Sequence, residues 1–296
     1  MFPKTFVYKT PFLCNAECKF CLSKATKVSK SYVYPKHRIV WEFLKIKKMW
    51  FESVILVWWE STIIENLKDY VIVSKKLWLD LIITTNWIVF SDFKYLEYLY
   101  KLWLRNIIFS VHSHIWVIHD ELVWIQWAFD YMVKAIDNAN KLNFQHISTS
   151  TVICKQNQDS LTDAIKYFRD NFNIFINNFC NLEVSYKNKQ DYKKKSHLFP
   201  DLKIIQTEIQ KIHQTFEKSI WTIWLQNLPL CAFNNDTFYL THEYSWKERY
   251  YENDFESEFS MNQRIKDKKC MDCTLNSQCK WFFPYFNTSD IITFYE

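Results

Sequence analysis

Short apolar runs alternate, over the first 180 or so positions, with longer segments in which apolar residues recur every three to four places. Runs of the first kind read as buried strands and segments of the second as amphipathic helices. Strands are expected at residues 5–12, 53–57, 79–85, 106–111, 146–153 and 174–179, and helices at 38–49, 66–77, 92–102, 128–142 and 161–171. Ser160 stands where the last helix needs an N-cap. Strict strand–helix alternation predicts parallel pairing, because each helix returns the chain to the same end of the sheet. The expected fold class is α/β, a partial (β/α)6 TIM-like barrel followed by a small C-terminal cysteine-rich α+β domain. The alternation stops near residue 180 and gives way to a lysine-rich stretch, a helix at 202–216 and a tail with clustered cysteines. A boundary near residue 216 is expected, separating domains 1–215 and 216–296.

Where the helical patterns end, the same tetrad returns: Lys48-Met49-Trp50-Phe51, Lys76-Leu77-Trp78-Leu79, Lys101-Leu102-Trp103-Leu104 and, with asparagine, Lys141-Leu142-Asn143-Phe144. The third place is the position just past a helix, which takes a left-handed backbone and is usually glycine, sometimes asparagine. Asn86-Trp87 after the third strand reads in the same way as an Asn-Gly turn. Composition makes these placements significant. The chain has 14 tryptophans and no glycine in 296 residues, where ordinary usage predicts roughly 20 glycines. The tryptophans are therefore read as glycines, as happens when UGA codons that a lineage reads as glycine are translated by the commoner alternative code as tryptophan.

With 49% apolar and 23% charged residues the chain can bury a large core. No apolar run suggests a signal peptide or a bilayer span, so a cytoplasmic protein with no membrane partner is expected. Nine cysteines in that setting favour metal thiolates over disulfides. The net charge of +5 is a mild excess, with basic clusters at 187–195 and 266–269 and an acidic run at 252–258. Clusters of this kind are solvated faces more often than nucleic-acid contacts, and no aromatic-basic recognition motif accompanies them.

Chemistry concentrates at the strands' carboxyl ends, where parallel β/α folds gather their ligands. Cys14, Cys18 and Cys21, with Phe20 before the last thiol, follow strand one; Trp58-Trp59-Glu60 follow strand two; Asn86 ends strand three; and Ser110 to His112 end strand four. A [4Fe-4S] cluster ordinarily takes four cysteines, so a compact set of three leaves one iron open to a small molecule.

The Cys-x3-Cys-x2-Cys loop with Phe20 resembles the cluster loop of the radical S-adenosylmethionine (SAM) enzymes, and the resemblance extends over essentially the whole chain. Trp58-Trp59-Glu60-Ser61-Thr62 is similar to that family's Gly-Gly-Glu-Pro-Thr segment once the tryptophans are read as glycines, with serine replacing proline. Glycine there lets the backbone approach the methionine amine, which Glu60 would help to hold, whereas an indole blocks the approach. The resemblance implies a [4Fe-4S] cluster on Cys14, Cys18 and Cys21. It implies SAM contacts from Phe20, Trp58, Trp59, Glu60, Asn86, Ser110 and His112, with Thr151 lining the ribose. It further implies reductive cleavage of SAM to a 5′-deoxyadenosyl radical, fed by a low-potential donor such as flavodoxin or ferredoxin. Residues 117–122 resemble the helix after strand four and serve as a fold marker; for His112, His114 and His119, structural or hydrogen-bonding roles are expected ahead of catalysis.

The tail Cys231…Cys270-x2-Cys273-x5-Cys279-x-Trp281 resembles the auxiliary-cluster domains called SPASM and twitch. Phe283 stands where a further cysteine is usual, so the resemblance implies one auxiliary [4Fe-4S] cluster, while four cysteines at this spacing also suit zinc. Relatives with such tails often modify peptides, which makes a peptide the leading substrate class. RNA modification ranks below it, and a cyclase like the molybdopterin-pathway enzyme is disfavoured by the short x5 gap. A catalytically inactive iron–sulfur or zinc protein that has lost SAM is the alternative from another class. Cys154 and Cys180 lie outside both sets; the first reads as a buried small apolar residue, and the second, after strand six, is placed to donate hydrogen to a radical.

Overall fold

The computed structural model describes residues 4–10, 13–21, 33–57, 59–184, 189–233, 266, 268–273, 276–277, 279 and 285–286. Trp58, Trp281, Phe283 and the acidic run at 252–258 lie outside the described residues.

Strands β1 (Thr5–Lys9), β2 (Ser53–Val57), β3 (Asp80–Thr85), β4 (Asn106–Ser110), β5 (His146–Ile153), β6 (Ile176–Asn181) and β7 (Ile223–Gln226) form one sheet in chain order. The pairs β1/β2, β2/β3, β3/β4 and β6/β7 are parallel. Helices α1 (Lys36–Lys48), α2 (Leu67–Leu77), α3 (Phe93–Lys101), α4 (Trp116–Val123), α5 (Ala128–Lys141) and α6 (Leu161–Phe172) follow the first five strands, and α7 (Lys189–Lys195) and α8 (Leu202–Phe216) follow β6. This is the α/β arrangement of a partial TIM-like barrel, with one strand more than the six expected. The seventh escaped the sequence reading because Ile-Trp-Leu-Gln is too short and too mixed to show a period. β6 also lies two residues later than expected, since Asn173 closes α6 in the left-handed conformation and the chain needs two more residues to reach the sheet.

Register aligns the carboxyl ends. Lys9 pairs with Val57, Leu56 with Ile83 and Thr85 with Phe109, so the segments after β1, β2 and β3 leave the sheet at one edge. The helix ends behave as the repeated tetrads imply. Trp50, Trp78, Trp103 and Asn143 all have positive φ, between 56° and 97°. In each case the next N–H reaches back five residues: Phe51 to Ile46 O, Leu79 to Ser74 O, Leu104 to Leu99 O and Phe144 to Ala139 O. That bond is the signature of a Schellman stop.

The described residues group into two compact units. One holds residues up to Val111 and Val123–Thr149; the other holds His112–Leu122 and most residues from Ser150 onward, so β5 contributes to both. In the first unit Tyr8, Phe43 and Tyr70 pack edge to face with one another, and Phe6 packs edge to face on Phe51. In the second, Ile153, Phe179, Ile223 and Leu225 from the strands pack with Ile165 of α6 and Ile205, Ile209 and Ile212 of α8. Ser160 occupies the N-cap position of α6 but makes no side-chain cap. Buried Glu208 of α8 does so instead, accepting from Thr162 N (3.0 Å) and Thr162 Oγ1 (2.9 Å). Among the described residues no helix is long and apolar enough to cross a membrane.

Candidate active site

The edge where β1, β2 and β3 end carries the cysteine loop. Cys14, Cys18 and Cys21 are partly buried, as is Phe20, and a turn from Cys21 N to Cys18 O (3.1 Å) brings the last two thiols round. Glu60 N donates to Leu13 O (2.8 Å), fixing the start of the loop to the end of β2. The Glu60 side chain is 2% exposed and turns away from solvent. Its Oε1 accepts from Thr62 N (3.1 Å), Thr62 Oγ1 (2.5 Å) and Thr85 Oγ1 (2.7 Å), and its Oε2 from Asn86 N (2.5 Å). Burial raises its pKa and these four bonds oppose the rise. Oε1 takes three of these bonds and Oε2 one, so the carboxylate ties together the backbone and hydroxyls of neighbouring strand ends and keeps acceptor capacity on Oε2. Sequence reasoning named Thr62 only as the end of its motif and missed Thr85, although hydroxyls at the end of an apolar run were the available signal.

Asn86 bridges to the loop, its Nδ2 lying 2.7 Å from Asn15 Oδ1 and 3.9 Å from Cys14 Sγ. Trp87 follows with φ 67°, fully buried, its indole N–H donating to Ser110 O at 2.8 Å. Trp59 is also buried, beside Glu60.

Burial is the main cause that pushes the Cys14 thiol up to about 11, and it raises Cys18 further; in both, the neighbouring triplet sulfurs add to the rise. A cationic group binding the three sulfurs would remove both penalties at once, so the donor set fits a thiolate-bound cluster. Among the described residues no three His, Cys, Asp or Glu side chains converge tightly enough for a single metal ion. A cubane spreads its ligand sulfurs over several irons and asks for a wider set. All nine cysteines are thiols rather than disulfides.

His112 and Thr151 belong to the second unit. Thr151 shares the face of Ile153, which packs on the helices, so the pleat turns it away from the side carrying Ser150, whose Oγ accepts from Asn178 Nδ2 (3.3 Å). His112 is buried; its N–H donates to His119 Nδ1 (3.2 Å) and its Nδ1 accepts from Val152 N (3.3 Å). Asn157 Nδ2, which the sequence did not single out, donates to His112 O (2.6 Å). Burial lowers both imidazoles, His119 to about 3, and His119 lowers His112 further. Because the folded pKa values lie below the unfolded ~6.5, this contribution to stability is present above pH 6.5. It is lost as pH falls from there toward 3, at up to about 1.4 kcal/mol per pH unit for each ring. Denaturant midpoints should fall between pH 7.5 and 5.5, and His119→Gln, which keeps an acceptor for His112 N–H, should show a smaller fall. An equal fall in both proteins would assign the acid sensitivity elsewhere.

At the ends of β6 and β7, Asn227 Nδ2 donates to Cys180 Sγ (3.1 Å) and to Glu183 Oε1, and Asn181 Nδ2 donates to Tyr285 OH (2.8 Å). Nothing in the sequence linked Tyr285 to residue 181. Farther along, Cys231 and Cys270 pack against the second unit's core, and Cys273 N donates to Cys270 O (3.3 Å). The Cys231 thiol is pushed up to about 12 by burial first and then by Cys279, Cys270 and Cys273, so each of these three tail sulfurs lies within electrostatic reach of Cys231.

Residues 8–168, more than half of the chain, match the Radical SAM superfamily. No curated protein sequence matches. Among solved structures, Streptococcus suis SuiB bound to its precursor peptide SuiA aligns with TM-score 0.59 at 16% identity, covering 79% of this chain and 50% of SuiB. Native anSMEcpe with bound AdoMet and the Kp18Cys peptide aligns at 0.60 and 13%, covering 74% and 63%. HydG, a maturase of the [FeFe]-hydrogenase, aligns at 0.54 and 10%, covering 78% and 54%. The chain thus spans half to under two thirds of these proteins, and the likeness is one of fold.

Proposed function

Because this chain belongs to the radical SAM superfamily, we propose that it cleaves SAM reductively at a [4Fe-4S] cluster and abstracts hydrogen from a peptide substrate. The observation that carries the reading is the partly buried triplet of thiols, pinned by Glu60 N–Leu13 O and Asn86–Asn15 to the edge where β2 and β3 also end. Cys14, Cys18 and Cys21 would hold the cluster, which with SAM supplies the electron transfer and the 5′-deoxyadenosyl radical. The protein's own part is positional. The Glu60 bonds keep three strand ends in fixed register, and the partial burial of the loop limits water at the sulfurs. Phe20 and Ser110 remain the proposed cofactor contacts, with an outside low-potential protein such as flavodoxin or ferredoxin as electron donor. The peptide class draws support from the bound peptides in SuiB and anSMEcpe.

Glycine at the tryptophan positions is part of the same proposal. The nine positive-φ residues among those described are six tryptophans and three asparagines. Trp50 and Trp78 hold their indoles 82% and 87% exposed, gaining nothing from burial to offset the left-handed backbone. At Trp59 and Trp87 glycine would vacate two buried indole volumes at the β2 and β3 ends, opening room beside Glu60 and Ser110. Anaerobic reconstitution with iron, sulfide, reductant and SAM tests the activity: 5′-deoxyadenosine should accumulate, and its absence would refute the reading.

For residues 216–296 we propose an auxiliary [4Fe-4S] cluster on Cys231, Cys270, Cys273 and Cys279. Reconstituted protein should carry about eight irons per chain, and Cys273→Ala about four, with SAM cleavage retained. Zinc bound at the tail, or an unchanged iron count in Cys273→Ala, would overturn this assignment.

A further inference from the structure

The carboxylate of Glu60 and the amide of Asn86 form a chain of contacts that ends on a cluster ligand. Glu60 is buried and surrounded by neutral donors, with Asn86 N on Oε2. Holding Asn86 by its backbone orients its side chain. Oδ1 accepts from Ile88 N (3.4 Å), so the opposite atom, Nδ2, faces Asn15 Oδ1 at 2.7 Å and Cys14 Sγ at 3.9 Å. The same amide therefore braces the loop residue beside Cys14 and points an N–H at the cysteine sulfur.

We propose that Asn86 acts on the cluster rather than on SAM, as an N–H donor to the Cys14 sulfur that raises the cluster's reduction potential, with Glu60 as the positioning residue that fixes Asn86. The proposal rests on the cluster reading above. A donor aimed at a ligand sulfur disperses the extra negative charge of the reduced cluster and so favours reduction. Glu60 acts at one remove: its carboxylate holds the Asn86 backbone, while its own backbone N–H bonds Leu13 O, and its charge also lies within reach of the Cys14 and Cys18 sulfurs.

The test is a redox titration, followed by electron paramagnetic resonance, of reconstituted full-length protein without SAM. Cys273→Ala serves as the background so that only the triplet cluster is read. Asn86→Ala should shift the midpoint to more negative potential. Asn86→Asp, which sets a carboxylate against the sulfur, should shift it further. Glu60→Gln puts an amide donor opposite Asn86 N and so releases Asn86, but it also removes a negative charge near the Cys14 sulfur, which by itself favours reduction. The Asn86→Ala shift should therefore be much smaller in the Glu60→Gln background than in the parent, since the contact it removes is already released. Equal midpoints in all variants, with weaker SAM binding in Asn86→Ala, would overturn the proposal and return Asn86 to the SAM site. Lower iron content with an unchanged midpoint in the iron that remains would reduce both residues to scaffold. A parent protein that takes up no four-iron cluster would instead overturn the cluster reading, and this proposal with it.

Discussion

Cys18→Ala is expected to abolish 5′-deoxyadenosine formation and to remove the iron bound at the triplet. Cys18 is the middle thiol and its acidity responds to both Cys14 and Cys21, so it couples to each of the other two. Two remaining sulfurs cannot hold a cluster whose fourth iron is already without a cysteine. Loss of a supporting partner of a metal ligand typically costs ~10–100-fold, and loss of the ligand itself should exceed that. Cys154→Ala is the matched control. It removes a fully buried thiol from the second unit, outside both cysteine sets, and should leave SAM cleavage at the parent level. Parent-level 5′-deoxyadenosine in Cys18→Ala would sink the assignment of the triplet.

Replacing the tryptophans by glycine is expected to produce the largest change in stability. A left-handed backbone costs a residue with a side chain about 1–2 kcal/mol, so the six tryptophans with positive φ together cost about 6–12 kcal/mol, the size of a domain's whole stability of ~5–15 kcal/mol. Trp87 opposes the trend, because its buried indole fills space and bonds Ser110 O; glycine there should lose stability and gain room for a ligand. Equilibrium unfolding of the two recombinant forms should place the glycine form at far higher denaturant, and peptide mass spectrometry of native protein should find glycine at residues 50, 78 and 103. A tryptophan form of equal stability, with tryptophan in the native peptides, would defeat the idea. Tryptophan at 58 and 59 would favour an inactive protein that has lost SAM.

Much of the site was legible because its parts are local. Cys14, Cys18 and Cys21 share one loop, and Asn86 adjoins a strand whose period is plain. Glu60 was found for its place in a motif, and its four donors were not. Where a carboxylate points depends on the donors around it, and Thr85 and Asn86 come from a different strand. The same limit applies to Thr151, whose strand was legible but whose face was not. A run of Ser, Thr and Ile has no strong apolar alternation to say which side meets the helices. Ser160 shows it again: a good cap by residue type, displaced by Glu208 from a helix 46 residues away in sequence.

By itself the sequence determined the order of strands and helices, the left-handed stops, and the cysteine sets, because each is written in residues a few places apart, where periodicity, capping and ligand spacing operate. Only the tertiary structure decided the seventh strand, the burial of Glu60 under four donors, the aim of Asn86 at the Cys14 sulfur, and the neutral pairing of His112 with His119. In the last three, burial strips away water and leaves each polar group to whatever donor or acceptor another element brings to it. Which element that is depends on how the helices and loops pack around the sheet, and no short stretch of chain records it.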